Sequence, residues 1–321
     1  MIFAGLCGAI LWNLLTWLLG LPSSSSHALF GGLIGATIVA AGLGAVNYGN
    51  VLSKVLLPAV LSPILAGIVA LIATYLGYRI AARGRDGTVR KGFKAGQILS
   101  ASMVALAHGT NDAQKTMGSI TLTLITAGLL PEDAGPPFWV ILSAGLAIAL
   151  GTYLGGWRII QTLGKRVSEI QTPQGFAAET AGAAVILTSA NLGFALSTTQ
   201  VATGSIFGAG AGRRLATVQW SVAGQMALAW LLTLPAAAAV GAVAAWASST
   251  GTVGTVVVAI VLVALAGGIY AASRRKPVTA DNVNDVPAPV PARGGRDRGL
   301  RPGLGHLPPL TVQDSTRIWN G

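Results

Sequence analysis

The sequence predicts an all-α integral membrane protein, built as an inverted-repeat helical bundle with two re-entrant helical hairpins. Three observations predict this fold. The 321 residues are 52% hydrophobic and 10% charged, whereas soluble domains carry roughly 25% charged residues. Several apolar runs are long enough to cross a bilayer. Two further apolar regions are each interrupted by a polar turn, and the two turns are similar in sequence.

The length of the apolar runs predicts the transmembrane helices. The hydrocarbon core of a bilayer is about 30 Å thick and takes roughly 20 helical residues to cross. We expect transmembrane helices at 52–78, 95–129, 138–156, 216–241 and 252–272. The regions 2–45 and 175–212 are apolar but broken midway, which predicts a helical hairpin in each.

These elements divide the chain into five segments. The last of them is rich in Pro, Gly and Arg and poor in apolar residues, which is typical of disorder. The segments are the remainder of a first repeat, with one hairpin and one transmembrane helix (1–80), a basic cytoplasmic loop (81–94), a second repeat (95–241), a final transmembrane helix (242–272) and a disordered cytoplasmic tail (273–321).

The net charge of +11 could indicate a nucleic-acid-binding protein, but its distribution argues against that class. The basic residues form short clusters between apolar runs, and eight of the 21 follow Ala272. Such clusters are typical of the cytoplasmic loops of membrane proteins. Cys7 is the single cysteine, which excludes a disulfide framework and a thiolate metal cluster.

The basic clusters also predict which loops face the cytoplasm. The loop at 79–94 carries six basic residues and is assigned to the inside, whereas the loop at 130–137 carries two acids and no base and is assigned to the outside. The basic segments 157–172 and 274–276 are then inside as well. Lys54, near an external helix end, is the exception to this pattern.

The two broken regions should point in opposite directions. The region 175–212 lies between the inside segment 157–172 and the basic pair Arg213 and Arg214, so both of its ends are inside. By the same count, both ends of the region 2–45 are outside. Each region is therefore predicted to enter the membrane and return on the same side.

The hairpin turns match at a constant offset of 173 positions. Gly20 to His27 aligns with Gly193 to Gln200, and hydroxyl side chains coincide at three consecutive positions in each. Similar sequence in opposite orientation indicates an inverted repeat, whose substrate site lies near the midplane of the membrane. The alternative is that the hydroxyls only cap the following helices. The matched residues are Ser24, Ser25 and Ser26 in the first turn and Ser197, Thr198 and Thr199 in the second.

A polar cluster at 107–118 interrupts the run 95–129, which would be roughly 50 Å long as one helix. We expect a break at Gly109 and the Asn111–Asp112 pair. Because buried charges are costly in lipid, they usually mark a substrate or ion path. The alternative is that Asp112 and Lys115 form an ion pair that connects two helices.

Three other ionisable residues stay open to two interpretations. Glu179 either carries a coupling cation or lies near the interface at the start of its helix. His27 and His108 either hydrogen-bond a neighbouring helix or relay protons. Backbone N–H groups, helix N-termini and hydroxyls suit a tetrahedral dianion, and a cation beside it would explain an acid at an anion site.

The segment from Gly109 to Gly118 resembles the second signature of the PiT inorganic phosphate transporters, and the two hairpin turns resemble theirs, over about residues 2–241. The resemblance implies symport of phosphate with H⁺ or Na⁺ across the cell membrane. It places Asn111 and the six matched hydroxyl residues at the phosphate site and Asp112 at the cation site, to which our interpretation of the residues adds Glu179.

The chain departs from that family in two places. The family has an earlier Asn-Asp motif, which at an offset of 173 would precede Met1 by about 62 residues. We therefore expect that the N-terminal part of the first repeat is lacking, either because the start codon was placed late or because the chain is a true fragment. Gln200 stands where the family usually has His. The missing motif makes a truncated, non-transporting remnant one alternative. A sulfate permease is the other, because a hydroxyl-lined site distinguishes the two oxyanions mainly by protonation and charge.

Other classes of function find less support. A channel would need a continuous polar pore, and the sequence shows no nucleotide loop, metal constellation or nucleophile–base set that would indicate an enzyme. The expected partners are phosphate, a coupling cation and the lipid bilayer, with no nucleic acid and no cofactor. The oligomeric state, a homo-oligomer included, stays open.

Overall fold

A computed structural model describes residues 1–82, 86–167, 170–194, 196–212 and 219–285. This part of the chain contains α-helices joined by short 3-10 and π segments and no β-strand, which confirms the all-α prediction. The helices are α1 (Ile2–Leu19), α2 (Ser25–Ala41), α3 (Tyr48–Val51), α4 (Leu57–Ala81), α5 (Asp86–Thr126), α6 (Phe138–Leu154), α7 (Trp157–Gln161), α8 (Thr172–Asn191), α9 (Thr198–Ala211), α10 (Trp220–Ser248) and α11 (Thr252–Arg274).

Several of these helices are long and apolar enough to cross a membrane. Within the described residues they are α1, the run Tyr48–Ala81, α10 and α11. The bent pair α6 and α7, with 61° between its halves, forms a fifth candidate if it counts as one span. The molecule is therefore a multi-pass membrane protein.

Both broken regions fold as helical hairpins, for reasons that are local in the sequence. In hairpin 1 (α1 and α2), α1 ends at Gly20, whose φ of +67° favours glycine. Ser24 then caps α2, with φ −89° and ψ 108°, and its hydroxyl accepts from the N–H of His27 at 3.2 Å. Hairpin 2 (α8 and α9) repeats this geometry, because Ser197 caps α9 with φ −89° and ψ 109°.

The hairpins pack on helices that are far away in sequence. In hairpin 1, Gly31 and Gly35 of α2 lie directly against the backbone carbonyls of Leu234 and Ala238 in α10. Glycines at four-residue spacing let two membrane helices approach closely. Trp230 of α10 also donates from its indole N–H to the carbonyl of Pro22 in the hairpin tip at 2.8 Å.

Hairpin 2 makes the equivalent contacts with α4. Gly204 and Gly208 of α9 lie against the carbonyls of Pro63 and Gly67. These glycines follow Gly31 and Gly35 by 173 positions, and the carbonyls that they meet in α4 precede those in α10 by 171 positions. The tertiary contacts thus obey the repeat seen in the sequence, while the opposite orientation of the halves in the membrane stays a prediction.

The expected break in the polar helix is wrong. α5 runs without interruption for 41 residues, about 62 Å at the α-helical rise. Its charged groups and several of its hydroxyls are satisfied without a break, since the Thr110 hydroxyl bonds to a carbonyl of the preceding turn and Asp112 pairs with His108 and Lys115 on the same helix. Because α5 already begins at Asp86, most of the loop expected at 81–94 is helical.

The tail also differs from the prediction in its first part. Residues 275–285 follow α11 and pack against α7, where the Arg158 side chain donates to the carbonyls of Ser273 and Lys276. The rest of the predicted tail, 286–321, lies outside the described residues. So do the basic side chains at 83, 85, 213 and 214 that were used to assign sidedness.

Candidate functional site

The charged centre of the site is Asp112, in the middle of α5. Its carboxylate accepts from the Lys115 ammonium at 2.9 Å and lies 3.2 Å from Nε2 of His108. Thr198, the first residue of α9, brings its hydroxyl to 3.0 Å from the same His108 nitrogen and 3.4 Å from the carboxylate. The tip of hairpin 2 therefore meets the polar segment of α5 at this acid.

The tip of hairpin 1 joins the same centre by contacting a backbone carbonyl in the tip of hairpin 2. The carbonyl of Leu196 accepts from the Lys115 ammonium at 3.2 Å and from the Ser26 hydroxyl at 3.4 Å. The Asp112–Lys115 ion pair considered in the sequence does form, but within one helix. The connection between elements runs instead from Lys115 to the hairpin carbonyl.

A cavity of about 300 Å³ opens beside this centre. One wall comes from hairpin 1 and carries the Asn13 amide and the Ser25 hydroxyl, and the opposite wall comes from α5. The groups that line it on α5 combine one ion pair with several hydroxyls. They are Asp112, Lys115, Thr116, Ser119 and Thr123.

The six matched hydroxyls serve different purposes. Ser24 and Ser197 cap their helices, so the capping alternative accounts for one hydroxyl in each tip. Ser26 and Thr198 join the contacts around Leu196 and Asp112. The other two are Ser25, which lines the cavity, and Thr199, which is half-buried on the first turn of α9.

Asn111 and Glu179 take separate positions. Asn111 is 6% exposed, and its side-chain oxygen has no hydrogen-bond partner. Glu179 accepts from the Ser100 hydroxyl at 2.7 Å. Ser100 precedes Asp112 by 12 residues on α5, about 18 Å along the helix, so the structure does not bring the two predicted cation-binding acids together.

Sequence reasoning missed several groups of the site. Ser119 and Thr123 follow Lys115 at four-residue spacing and so share its helix face; this periodicity is a signal that could have found them. Asn13 could have been found from its polar character in an apolar run. The carbonyl of Leu196 carries no signal in the sequence, since every residue has one.

A second cavity is lined by Gln200, the residue at which the sequence departs from the expected His. His27 and Gln200, which the offset of 173 pairs, line one cavity of about 400 Å³ between α4 and α10. Both side chains are buried, at 3% and 2% exposure, and Nε2 of His27 and Oε1 of Gln200 have no hydrogen-bond partner. The repeat thus places two unpartnered polar atoms at matching positions.

Known proteins resemble this chain over most of its length. The sequence model of the phosphate transporter family matches residues 1–241. A protein of Mycobacterium tuberculosis, named a probable low-affinity inorganic phosphate transporter, is 52% identical over 314 residues, which are 97% of this chain and 75% of that protein. A protein of the same name from Bacillus subtilis is 41% identical over 240 residues, 75% of this chain and 72% of its own.

The fold agrees with an experimental structure as well. A solved structure of a sodium-dependent phosphate transporter superposes with a TM-score of 0.65 and 23% sequence identity, covering 76% of this chain and 78% of that protein. At this identity the likeness concerns the fold alone. Because the family match spans three quarters of the sequence and includes both hairpins and α5, the chain belongs to the phosphate transporter family.

Proposed function

We propose that the chain carries inorganic phosphate across the cell membrane by symport with a cation, H⁺ or Na⁺, and that the cavity beside Asp112 is its phosphate site. One observation carries the proposal: a single cavity receives the Lys115 ammonium and hydroxyls of α5 on one side and the Ser25 hydroxyl of hairpin 1 on the other. The relatives named above as inorganic phosphate transporters support the choice of substrate.

The donors in the cavity suit a tetrahedral oxyanion. An ammonium offers three N–H donors, a hydroxyl offers one, and the Asn13 amide offers two. Charge-assisted hydrogen bonds to phosphate oxygens are roughly twice as strong as neutral ones. Lys115 therefore anchors the anion, while Ser25 and Asn13 orient it.

The charge of the site explains why a cation must accompany phosphate. Asp112 and Lys115 cancel each other, so the resting site offers little net attraction for a dianion. A carboxylate about 4 Å from a phosphate charge would repel it by roughly 4 kcal/mol at an effective dielectric of 20. A proton or Na⁺ at Asp112 removes this repulsion, so the two solutes bind together and move together.

Oxygen atoms around Asp112 supply a place for that cation. The Thr198 hydroxyl lies 3.4 Å from the Asp112 carboxylate, and the Leu196 carbonyl accepts from Lys115. Asn111, the residue before Asp112 on α5, has a buried side-chain oxygen without a hydrogen-bond partner. Glu179 of α8, which accepts from Ser100 of α5, is proposed as a second cation-binding acid. The cytoplasmic location of the tail follows from the basic residues at 274–276.

Uptake of radiolabelled phosphate into proteoliposomes tests the proposal. Ser25 lines the cavity, so Ser25→Ala should weaken phosphate binding by about fivefold to tenfold, the value of one hydrogen bond. Thr198→Ala removes a hydroxyl beside Asp112 and should weaken phosphate binding through the loss of the cation. Ser102→Ala is the matched control, because that hydroxyl is exposed and bonds to a carbonyl of its own helix. Uptake should depend on either a Na⁺ or a H⁺ gradient.

Three results would each contradict part of the proposal. If Ser25→Ala and Thr198→Ala transport like the Ser102→Ala control, the hydroxyls have a structural role alone. If sulfate competes with phosphate at equal concentration, the cavity belongs to a broader oxyanion permease. Uptake that ignores both cation gradients would leave the phosphate site in place but remove the coupling.

A further inference from the structure

A third cavity, polar and about 400 Å³ in volume, lies on the side of the molecule where α7 and the segment after α11 meet the turn of hairpin 1. Three cationic side chains and one acid, Asp285, line it. The cations are Arg158, Arg166 and Lys276. Their charges sum to +3 against −1, so this wall carries a net charge of +2.

Hydrogen bonds from α7 build the cavity out of three distant parts of the chain. The Arg158 guanidinium donates to the carbonyl of Leu18 at 3.3 Å, to that of Ser273 at 2.9 Å and to that of Lys276. It thereby connects the end of α1 with the end of α11. Gln161 donates to the carbonyls of Val283 and Asp285, both at 3.3 Å, and holds the returning segment against α7.

The same wall contacts hairpin 1, which lines the transport cavity of the proposed function on which this inference rests. The Thr162 hydroxyl donates to the carbonyl of Gly20 at 2.7 Å. Gly20 is the left-handed residue that ends α1 and opens the turn of hairpin 1. A ligand in this cavity would therefore rest against the turn whose far side, at Ser25, lines the Asp112 cavity.

The cationic side chains in this cavity have N–H donors that no described residue accepts. Among the described residues, ion pairs involve Asp112 and none of these three cations. The guanidinium of Arg158 has five N–H donors, of which the carbonyl contacts use three. The side chains of Arg166 and Lys276 are exposed and form no hydrogen bond with any described residue.

We propose that this cavity binds a phosphate-bearing anion, at a site distinct from the transport cavity, and that the bound anion holds the segment 275–285 and α7 against the turn of hairpin 1. Guanidinium groups match phosphate oxygens in paired hydrogen bonds, and a net charge of +2 suits a phosphate group that carries one or two negative charges. Lys276 and Asp285 lie beyond residues 1–241, the part that the family model matches. The ligand is either free phosphate or the headgroup of an anionic phospholipid.

Binding measurements on the purified full-length protein test this site without relying on transport. The test variant is Arg166→Gln with Lys276→Gln, which leaves the carbonyl contacts of Arg158 in place. The matched control is Lys91→Gln with Lys94→Gln, which removes the same charge from exposed positions on α5. All variants also carry Lys115→Gln, so that the transport cavity contributes little to phosphate binding.

Two probes distinguish the sources of the anion. Inorganic phosphate is titrated by calorimetry in detergent, and thermal stability is compared between nanodiscs of phosphatidylcholine and nanodiscs of equal parts phosphatidylcholine and phosphatidylglycerol. Each lost cation should weaken binding by about fivefold and both by about thirtyfold. An effect with phosphate identifies free phosphate as the ligand, and loss of the stabilisation by phosphatidylglycerol identifies the lipid headgroup.

Two outcomes overturn the proposal. In the first, the test variant matches its Lys115→Gln parent with both probes, which shows that the cavity binds neither form of phosphate. In the second, the control on α5 loses as much binding as the test variant, which shows that the effect comes from the general positive surface of the protein and not from a built site.

Discussion

Replacing Asp112 by asparagine keeps the shape of the side chain and removes the charge at the centre of the site. The carboxylate lies 2.9 Å from the Lys115 ammonium, an attraction of about 6 kcal/mol at an effective dielectric of 20. The side chains are 25% and 15% exposed, so solvent reduces this value. Removing one partner of a fully buried pair costs about 3–5 kcal/mol, and we expect a stability loss at or below the lower end of that range.

The same substitution should affect phosphate binding in the opposite way, since it lowers stability but does not weaken binding. Asp112→Asn leaves the Lys115 ammonium unpaired and removes a charge that would repel the anion by roughly 4 kcal/mol at about 4 Å. Phosphate binding should therefore persist or become tighter, while the cation loses its ligand. In proteoliposomes, the variant should retain phosphate exchange between equal concentrations but lose accumulation driven by a cation gradient.

Two outcomes would refute this reasoning. Full gradient-driven accumulation by Asp112→Asn would show that the carboxylate does not bind the coupling cation. The double change Asp112→Asn with Lys115→Gln tests whether the ion pair has only a structural role, because it removes the pair without leaving a lone charge. If the double variant regains the accumulation that the single variant lost, the pair is structural and the coupling site lies elsewhere.

Two further predictions concern topology and packing. In a cysteine-free background, an impermeant thiol reagent applied from outside should label a cysteine at position 132, in the loop 130–137, and not one at position 87, because the basic clusters assign these positions to opposite sides. Gly35→Ala should lower the thermal unfolding temperature of the purified protein, because the added methyl group would press on the carbonyl of Ala238 and overpacking of this kind costs typically 1–3 kcal/mol.

Each of these predictions has its own control. The reverse labelling pattern would contradict the inverted repeat, since the sidedness of both hairpins depends on it. For the packing prediction, Gly118→Ala is the matched control, because a methyl group at that position of α5 meets nothing within 4 Å. Equal unfolding temperatures for Gly35→Ala and Gly118→Ala would show that the seam between α2 and α10 has room to spare.

The hairpins could be predicted because their signals are local. Gly20 supplies the left-handed residue that ends α1, and Ser24 supplies the cap that begins α2. The offset of 173 then identifies the second hairpin, and the structure repeats the backbone angles of the cap within one degree. The contribution of Thr198 to the site was also predictable, since a matched hydroxyl beyond the capping residue needs another purpose.

The remaining features depend on tertiary contacts that leave little trace in the sequence. The polar segment of α5 was expected to break because charges are costly in lipid, but pairing within one helix face satisfies Asp112 without a break. The carbonyl of Leu196 became important through its position alone. Residues 275–285 were expected to be disordered by composition, and Arg158 holds their beginning through backbone carbonyls that any sequence would provide.

The exchange of packing partners between the halves of the chain sets the order in which the protein can assemble. Gly31 contacts Leu234, which lies 203 positions later in the sequence. At roughly 5–20 residues per second, the ribosome needs about 10 to 40 s to make that stretch, and hairpin 1 waits in the membrane without its partner throughout. Hairpin 2 is made after α4, so the helix against which it packs is already present. The first hairpin is therefore the segment most exposed to misfolding and to quality-control proteases, and any premature stop before α10 leaves it permanently unpaired.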